Sequence, residues 1–222
     1  MLPDDEIAGL KLTLPKIYPI TDRQLSGLSH ADQTRRFIEG GAKLIQLREK
    51  SNDMRRFLDD AMEAVRIAKE NAVTILINDR VDIALMTSAD GVHLGQYDLP
   101  PKQARKLLGP KAIIGFSTHN IKQVQEAMMQ PIDYIAFGPI FSTSTKTNPA
   151  PVVGVNLLEE ASRLVGAWPL VAIGGINSKN MASVIAAGAH SAAMIGEFYR
   201  RNNSVTSQFK SITELLENNI VS

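Results

Sequence analysis

The feature that most constrains this chain is an alternation running along nearly its whole length. Eight short runs of β-branched and aliphatic residues stand at 16–20, 43–48, 74–77, 91–94, 112–116, 133–137, 170–173 and 191–195. Between them lie amphipathic stretches at 30–39, 54–70, 81–86, 101–108, 121–129, 157–165 and 179–187, and a last one covers 205–217. Helix signals sit at their ends. Ser29 followed by Asp32 reads as a capping box, Ser178 as an N-cap, and Gly40, Gly109 and Gly188 as terminators. Strands alternating with helices imply parallel pairing through right-handed crossovers. Eight such units in 222 residues match a closed (β/α)8 TIM barrel. The expected organisation is a single domain over 1–222, with 1–15 as an N-terminal extension. An open doubly wound sheet shares the local pattern. It is disfavoured because Ile20 runs into Thr21-Asp22-Arg23-Gln24 rather than into a glycine-rich dinucleotide turn.

Composition narrows the chemistry. With 24 Lys+Arg against 23 Asp+Glu, the formal charge is +1, which argues against nucleic-acid binding through a broad basic field. The chain has no cysteine, which excludes a disulfide framework, a thiolate nucleophile and a Cys-ligated zinc site. No basic segment followed by an apolar core opens the sequence, and no apolar run approaches the roughly 18 residues of a membrane span. A cytoplasmic protein with no membrane partner is expected.

Polar groups gather just after the predicted strands. In Gln46-Leu47-Arg48-Glu49-Lys50, alternation puts Gln46, Arg48 and Lys50 on one face. Charges on a strand buried on both sides are costly unless they serve a site; the alternative is a solvated edge strand. Asn78-Asp79-Arg80 ends the third strand, and Asp98 follows the fourth. Each aspartate reads either as a helix cap or turn residue, or as one of two carboxylates on a common rim that suit Mg²⁺ (magnesium). Ser117-Thr118-His119 ends the fifth strand, with His119 either catalytic or merely hydrogen-bonded. The stretch 142–151, STSTKTNPAP, is too rich in hydroxyls and proline for regular structure. It offers Lys146 among Thr143, Thr145 and Thr147 to an anion, and it is a candidate lid. Gly174-Gly175 after the seventh run and Ile195-Gly196 after the eighth read as a phosphate cradle, or as tight turns that need positive φ. One cradle, a metal pair and further cations together suggest two phosphorylated groups, one of them a diphosphate.

These segments resemble the thiamine-phosphate synthase family. YPITD (18–22), QLREK (46–50), INDR (77–80), GVHLGQYD (91–98), GFSTHN (115–120), FGPIFSTSTK (137–146), PVVG (151–154) and AIGGIN (172–177) occur in order at matching spacing. The resemblance implies transfer of a 4-amino-2-methylpyrimidin-5-ylmethyl group from its diphosphate to the nitrogen of a thiazole phosphate, with release of diphosphate. It implies that Gln46, Arg48, Lys50, Asn78, Ser117, Thr143, Thr145 and Lys146 hold the pyrimidine diphosphate. Arg48, Lys50, Ser117 and Lys146 would carry the chemistry, Asp79 and Asp98 would bind Mg²⁺, and Gly175, Ile195 and Gly196 would receive the thiazole phosphate. Two departures stand out. Gly196 replaces a small hydroxyl residue usual in the family, and Glu197-Phe198-Tyr199 replaces smaller residues, bringing a carboxylate near the phosphate. The alternatives are a thiazole tautomerase with His119 as its histidine, and a non-catalytic barrel that binds thiamine precursors. Whether the thiazole carries a carboxylate, and whether the protein is a homo-oligomer, stays open.

Overall fold

Every predicted run becomes a strand, and each strand pairs in parallel with the next. In the computed structural model, which describes residues 12–143, 145, 150–199 and 204–220, these strands are β1 (Ile17–Asp22), β2 (Leu44–Arg48), β3 (Thr74–Asn78), β4 (Gly91–Leu94), β5 (Ile113–Thr118), β6 (Tyr134–Phe137), β7 (Leu170–Ile173) and β8 (Ser191–Met194). Pairing of β1 with β8 closes the barrel. That closure decides against the open sheet.

Outside the strands run α1 (Arg23–Ser26), α2 (His30–Gly40), α3 (Met54–Glu70), α4 (Val81–Thr87) and α5 (Pro101–Leu108). They are followed by α6 (Ile121–Ala127), α7 (Gly154–Val165), α8 (Met181–Ala186) and α9 (Val205–Ile220). Among the described residues no helix is long and apolar enough to cross a membrane.

Side-chain alternation separates two cores. On β3, Ile75 and Ile77 face the helices, whereas Leu76 joins Tyr18, Ile20, Leu44, Tyr134 and Val171 inside the barrel. Leu12 and Leu14 pack against that inner cluster, so the end of the expected N-terminal extension lies against the barrel; residues 1–11 fall outside the described residues. The interior is filled by side chains and leaves no bore, as a closed eight-stranded barrel requires.

Several boundaries shift. β1 runs two residues past the predicted end, through Thr21 and Asp22, and Asp22 Oδ1 then accepts from Leu25 N to start α1, a short helix the sequence did not announce. Ser29 caps α2 as expected, but Asp32 accepts the Ser29 hydroxyl, while Asp60 of α3 takes the His30 and Ala31 N–H groups. Gly40 remains helical, and the left-handed terminator is Gly41. Ser178 caps nothing. A turn from Asn177 to Asn180 delays α8 to Met181, and Ser178 faces Glu197 instead.

Candidate active site

A cavity of about 1390 Å³ opens at the C-terminal ends of the strands. Parallel pairing puts all these ends on one pole, so residues distant in sequence meet there. The register sets Asp22 of β1 beside Arg48 of β2. Arg48 Nη1 donates to Asp22 Oδ2 at 2.5 Å, with both side chains 8% exposed. Asp22 thus holds the arginine with one oxygen and caps α1 with the other. Two residues on, Lys50 Nζ reaches Asp79 Oδ2 at 2.5 Å.

Asp79 does not cap α4. Arg80 stands at the cap position without a side-chain cap bond, and Asp79 itself is left-handed at φ 62°. That conformation costs an L-residue about 1–2 kcal/mol. It is pinned by the Asp79 N–H bond to His93 O at 2.8 Å. The carboxylate is directed to Lys50 and to Asp98, whose Oδ2 accepts Gly95 N–H at 2.6 Å. The two acids differ in proton affinity. Burial pushes Asp98 up, the Gly95 N–H opposes this, and the Asp79 charge adds to the rise. Burial also works upward on Asp79, but the Lys50 hydrogen bond and charge outweigh it and leave that carboxyl below the usual range. Among the described residues no group of three or more His, Asp or Glu side chains is arranged to hold a metal ion; Asp79 and Asp98 stand as a pair of carboxylates on the cavity wall.

Ser117, near the end of β5, lies 2.8 Å by its Oγ from His93 Nε2, and Gln96 Nε2 donates to its carbonyl at 2.6 Å. His119 lines the cavity with Nδ1 2.5 Å from Gly138 O. Thr143 and Thr145 border the same space, the Thr145 N–H donating to Thr143 Oγ1. Lys146 and Thr147 lie outside the described residues.

On the opposite side, Gly174 and Gly175 take φ of 98° and 66°. A Cβ on Gly175 would stand 2.4 Å from Ser142 O, so the close approach as well as the conformation requires glycine. Amides from Asn177 and Asn180 both donate to Gly175 O and fix that peptide. Ile195 and Gly196 complete this wall. Glu197 also borders it, buried, with Oε1 accepting from Ser178 N and Oγ at 3.2 and 2.7 Å.

Ten of the twelve predicted site residues that are described border this one cavity; the other two, Gln46 and Asn78, are buried beside it. Gln46 donates to Tyr18 Oη at 2.9 Å. Sequence reasoning missed Asp22, His93, Gln96 and Tyr134. All four act through partners distant in sequence, which only the closed fold brings together.

A family model described as thiamine monophosphate synthase matches residues 17–198. The chain belongs to that family. The thiamine-phosphate synthase of Koribacter versatilis is 42% identical over 210 residues, covering 92% of this chain and 98% of the relative. The thiamine-phosphate synthase of Vibrio campbellii is 43% identical over 180 residues, 81% of this chain and 88% of the relative. Among solved structures, thiamine phosphate pyrophosphorylase from Pyrococcus furiosus superposes with a TM-score of 0.82 at 32% identity, covering 92% of this chain and 96% of that one. The family makes the chain a transferase of thiamine biosynthesis, acting on pyrimidine and thiazole phosphates, and the TIM barrel expected from the alternation is the family's fold.

Proposed function

We propose that the cavity binds a 4-amino-2-methylpyrimidin-5-ylmethyl diphosphate and a thiazole phosphate, and joins them to thiamine phosphate in the cytoplasm. One observation carries this reading: Arg48, Lys50, Asp79, Asp98 and the glycine wall at 174–175 and 195–196 border the same space. The C–O bond to the diphosphate breaks, and its electron pair leaves with that group. The 4-amino group of the pyrimidine supports positive charge on the exposed methylene, and the thiazole nitrogen donates its lone pair to form the C–N bond.

The chain's task is electrostatic and geometric. Arg48, held by Asp22, and Lys50, paired with Asp79, present cations where the leaving charge grows. Lys146, which lies outside the described residues, would add a third. Ser117, Thr143 and Thr145 supply hydroxyls to the same substrate, with Gln46 and Asn78 supporting it from beside the cavity. Gly175, Ile195 and Gly196 receive the thiazole phosphate through backbone N–H groups.

Asp79 and Asp98 fit Mg²⁺. They are hard oxygen donors held in contact, and burial together with the mutual charge raises one of them, a conflict that a divalent cation relieves. When bound there, the ion would neutralise diphosphate oxygens. The tautomerase reading needs no diphosphate site and leaves the Arg48, Lys50, Asp79 and Asp98 set without use.

Mixing both substrates with the protein and Mg²⁺ should release diphosphate and thiamine phosphate in equal amounts. EDTA should abolish both, and added Mg²⁺ should restore them. Tight substrate binding without turnover would point to a silent barrel instead.

A further inference from the structure

A row of buried polar groups crosses the barrel interior beside the cavity. Gln46 Nε2 donates to Tyr18 Oη at 2.9 Å, and Tyr18 Oη lies 3.1 Å from Tyr134 Oη. Tyr134 Oη is 2.8 Å from His93 Nδ1, and His93 Nε2 is 2.8 Å from Ser117 Oγ. The row therefore joins five strands, β2, β1, β6, β4 and β5, and ends on a cavity-lining hydroxyl. It is built into the packing. A Cβ on Gly115 would fall 2.0 Å from Tyr134 Cζ, so a bare backbone there admits the phenol, and the His93 ring stacks on it at 5.6 Å between centroids.

Its direction follows from the donor inventory. The Gln46 N–H only donates, so Tyr18 oxygen accepts it, and the buried Tyr18 hydrogen is satisfied by passing to Tyr134, the other hydrogen-bond partner of Tyr18. Tyr134 oxygen has then accepted, and its hydrogen goes to His93 Nδ1. A ring whose Nδ1 accepts carries its proton on Nε2, and that N–H donates to Ser117 Oγ. Ser117's own hydrogen is thereby offered to the cavity. Burial raises both phenols, so each keeps its hydrogen at neutral pH.

We propose that His93 is a positioning residue which, oriented through Tyr134 and Tyr18 by Gln46, makes Ser117 a hydrogen-bond donor to an acceptor atom of the pyrimidine substrate. The assignment of that substrate rests on the synthase reading above; the polarity of the row does not.

Two measurements test it. Nitrogen NMR of the unliganded protein with isotope-labelled histidine should show the His93 ring, identified as the signal lost in His93→Gln, with a bare Nδ1 and a protonated Nε2. A proton on Nδ1 overturns the proposal. Kinetically, Tyr134→Phe should lower kcat/KM for the pyrimidine diphosphate about tenfold and leave KM for the thiazole phosphate unchanged. In a Ser117→Ala background the same change should have no further effect, because its route to substrate is gone. His93→Gln, which keeps an N–H donor, should retain more activity than His93→Leu. Additive losses at Tyr134 and Ser117, or equal losses in the two His93 variants, would mean the row only packs. Should the wild type transfer nothing, the synthase reading fails while the ring-nitrogen result still judges the polarity of the row.

Discussion

Arg48 and Lys50 occupy the same strand face and both meet an aspartate, yet their partners do different work. Arg48–Asp22 is buried, with both side chains 8% exposed, whereas Lys50 is 47% exposed. Removing one member of a buried pair strands the other, which typically costs about 3–5 kcal/mol. Asp22→Ala also loses the α1 cap, so a large fall in the urea midpoint is expected, and Asp22→Asn should recover part of it by keeping the cap. Lys50→Ala should behave the opposite way. An exposed pair contributes roughly 0–1 kcal/mol, so thermal unfolding should barely move while turnover drops by orders of magnitude. A near-normal rate would take Lys50 out of the chemistry. The motif containing Asp22 was visible in the sequence, but its role was not. The reading ended the first strand at Ile20, and the partner lies 26 residues away on β2.

Helix α9 and the short 3₁₀ turn at Gly196–Tyr199 explain the departure from the family at 197–199. Phe198 meets Phe37 of α2 with centroids 5.0 Å apart and Phe209 of α9 at 5.7 Å, and Phe37 meets Phe209 at 5.9 Å. Tyr199 Oη lies 2.5 Å from Gln33 Oε1. The bulky residues therefore point outward into the helix layer and anchor the wall formed by Ile195 and Gly196. Glu197, suspected of repelling a phosphate, has its Oε1 held by Ser178. Phe198→Ala should cost about 3–5 kcal/mol by chemical denaturation and raise KM for the thiazole phosphate more than for the pyrimidine diphosphate. Equal changes in both KM values would show that the anchor does not serve the wall. Helix and strand positions were legible because hydrophobic period and Gly or Ser punctuation are local. The α8 start was misplaced because the Asn177–Asn180 turn and Glu197 claim the groups that a Ser178 cap would have used.

Barrel closure was inferred from a count of eight units, since local pattern alone cannot tell a closed sheet from an open one. Closure also buries His30 completely between α2 and the barrel, where Thr21 Oγ1 lies 2.7 Å from Nδ1. Burial lowers the affinity of that ring for a proton, and the Asp60 and Glu49 charges only partly oppose it. His190 is lowered as well, by burial and by the Lys16 charge. The unfolded chain then takes up protons near the ordinary histidine value of about 6.5 that the folded state refuses. Stability should be full above that value and fall as pH drops through it, by up to about 1.4 kcal/mol per pH unit for the fully buried His30 and by much less for the exposed, solvent-screened His190. Urea midpoints across that range should show this slope, and His30→Asn should flatten it. A midpoint that rises on acidification would contradict a neutral buried ring.

Leu12 and Leu14, just ahead of β1, pack against the inner cluster and extend the hydrophobic filling of the cylinder. With the interior already packed solid, the two leucines add cohesion rather than close a passage, so shortening either one should loosen the foundation on which the opposite pole rests.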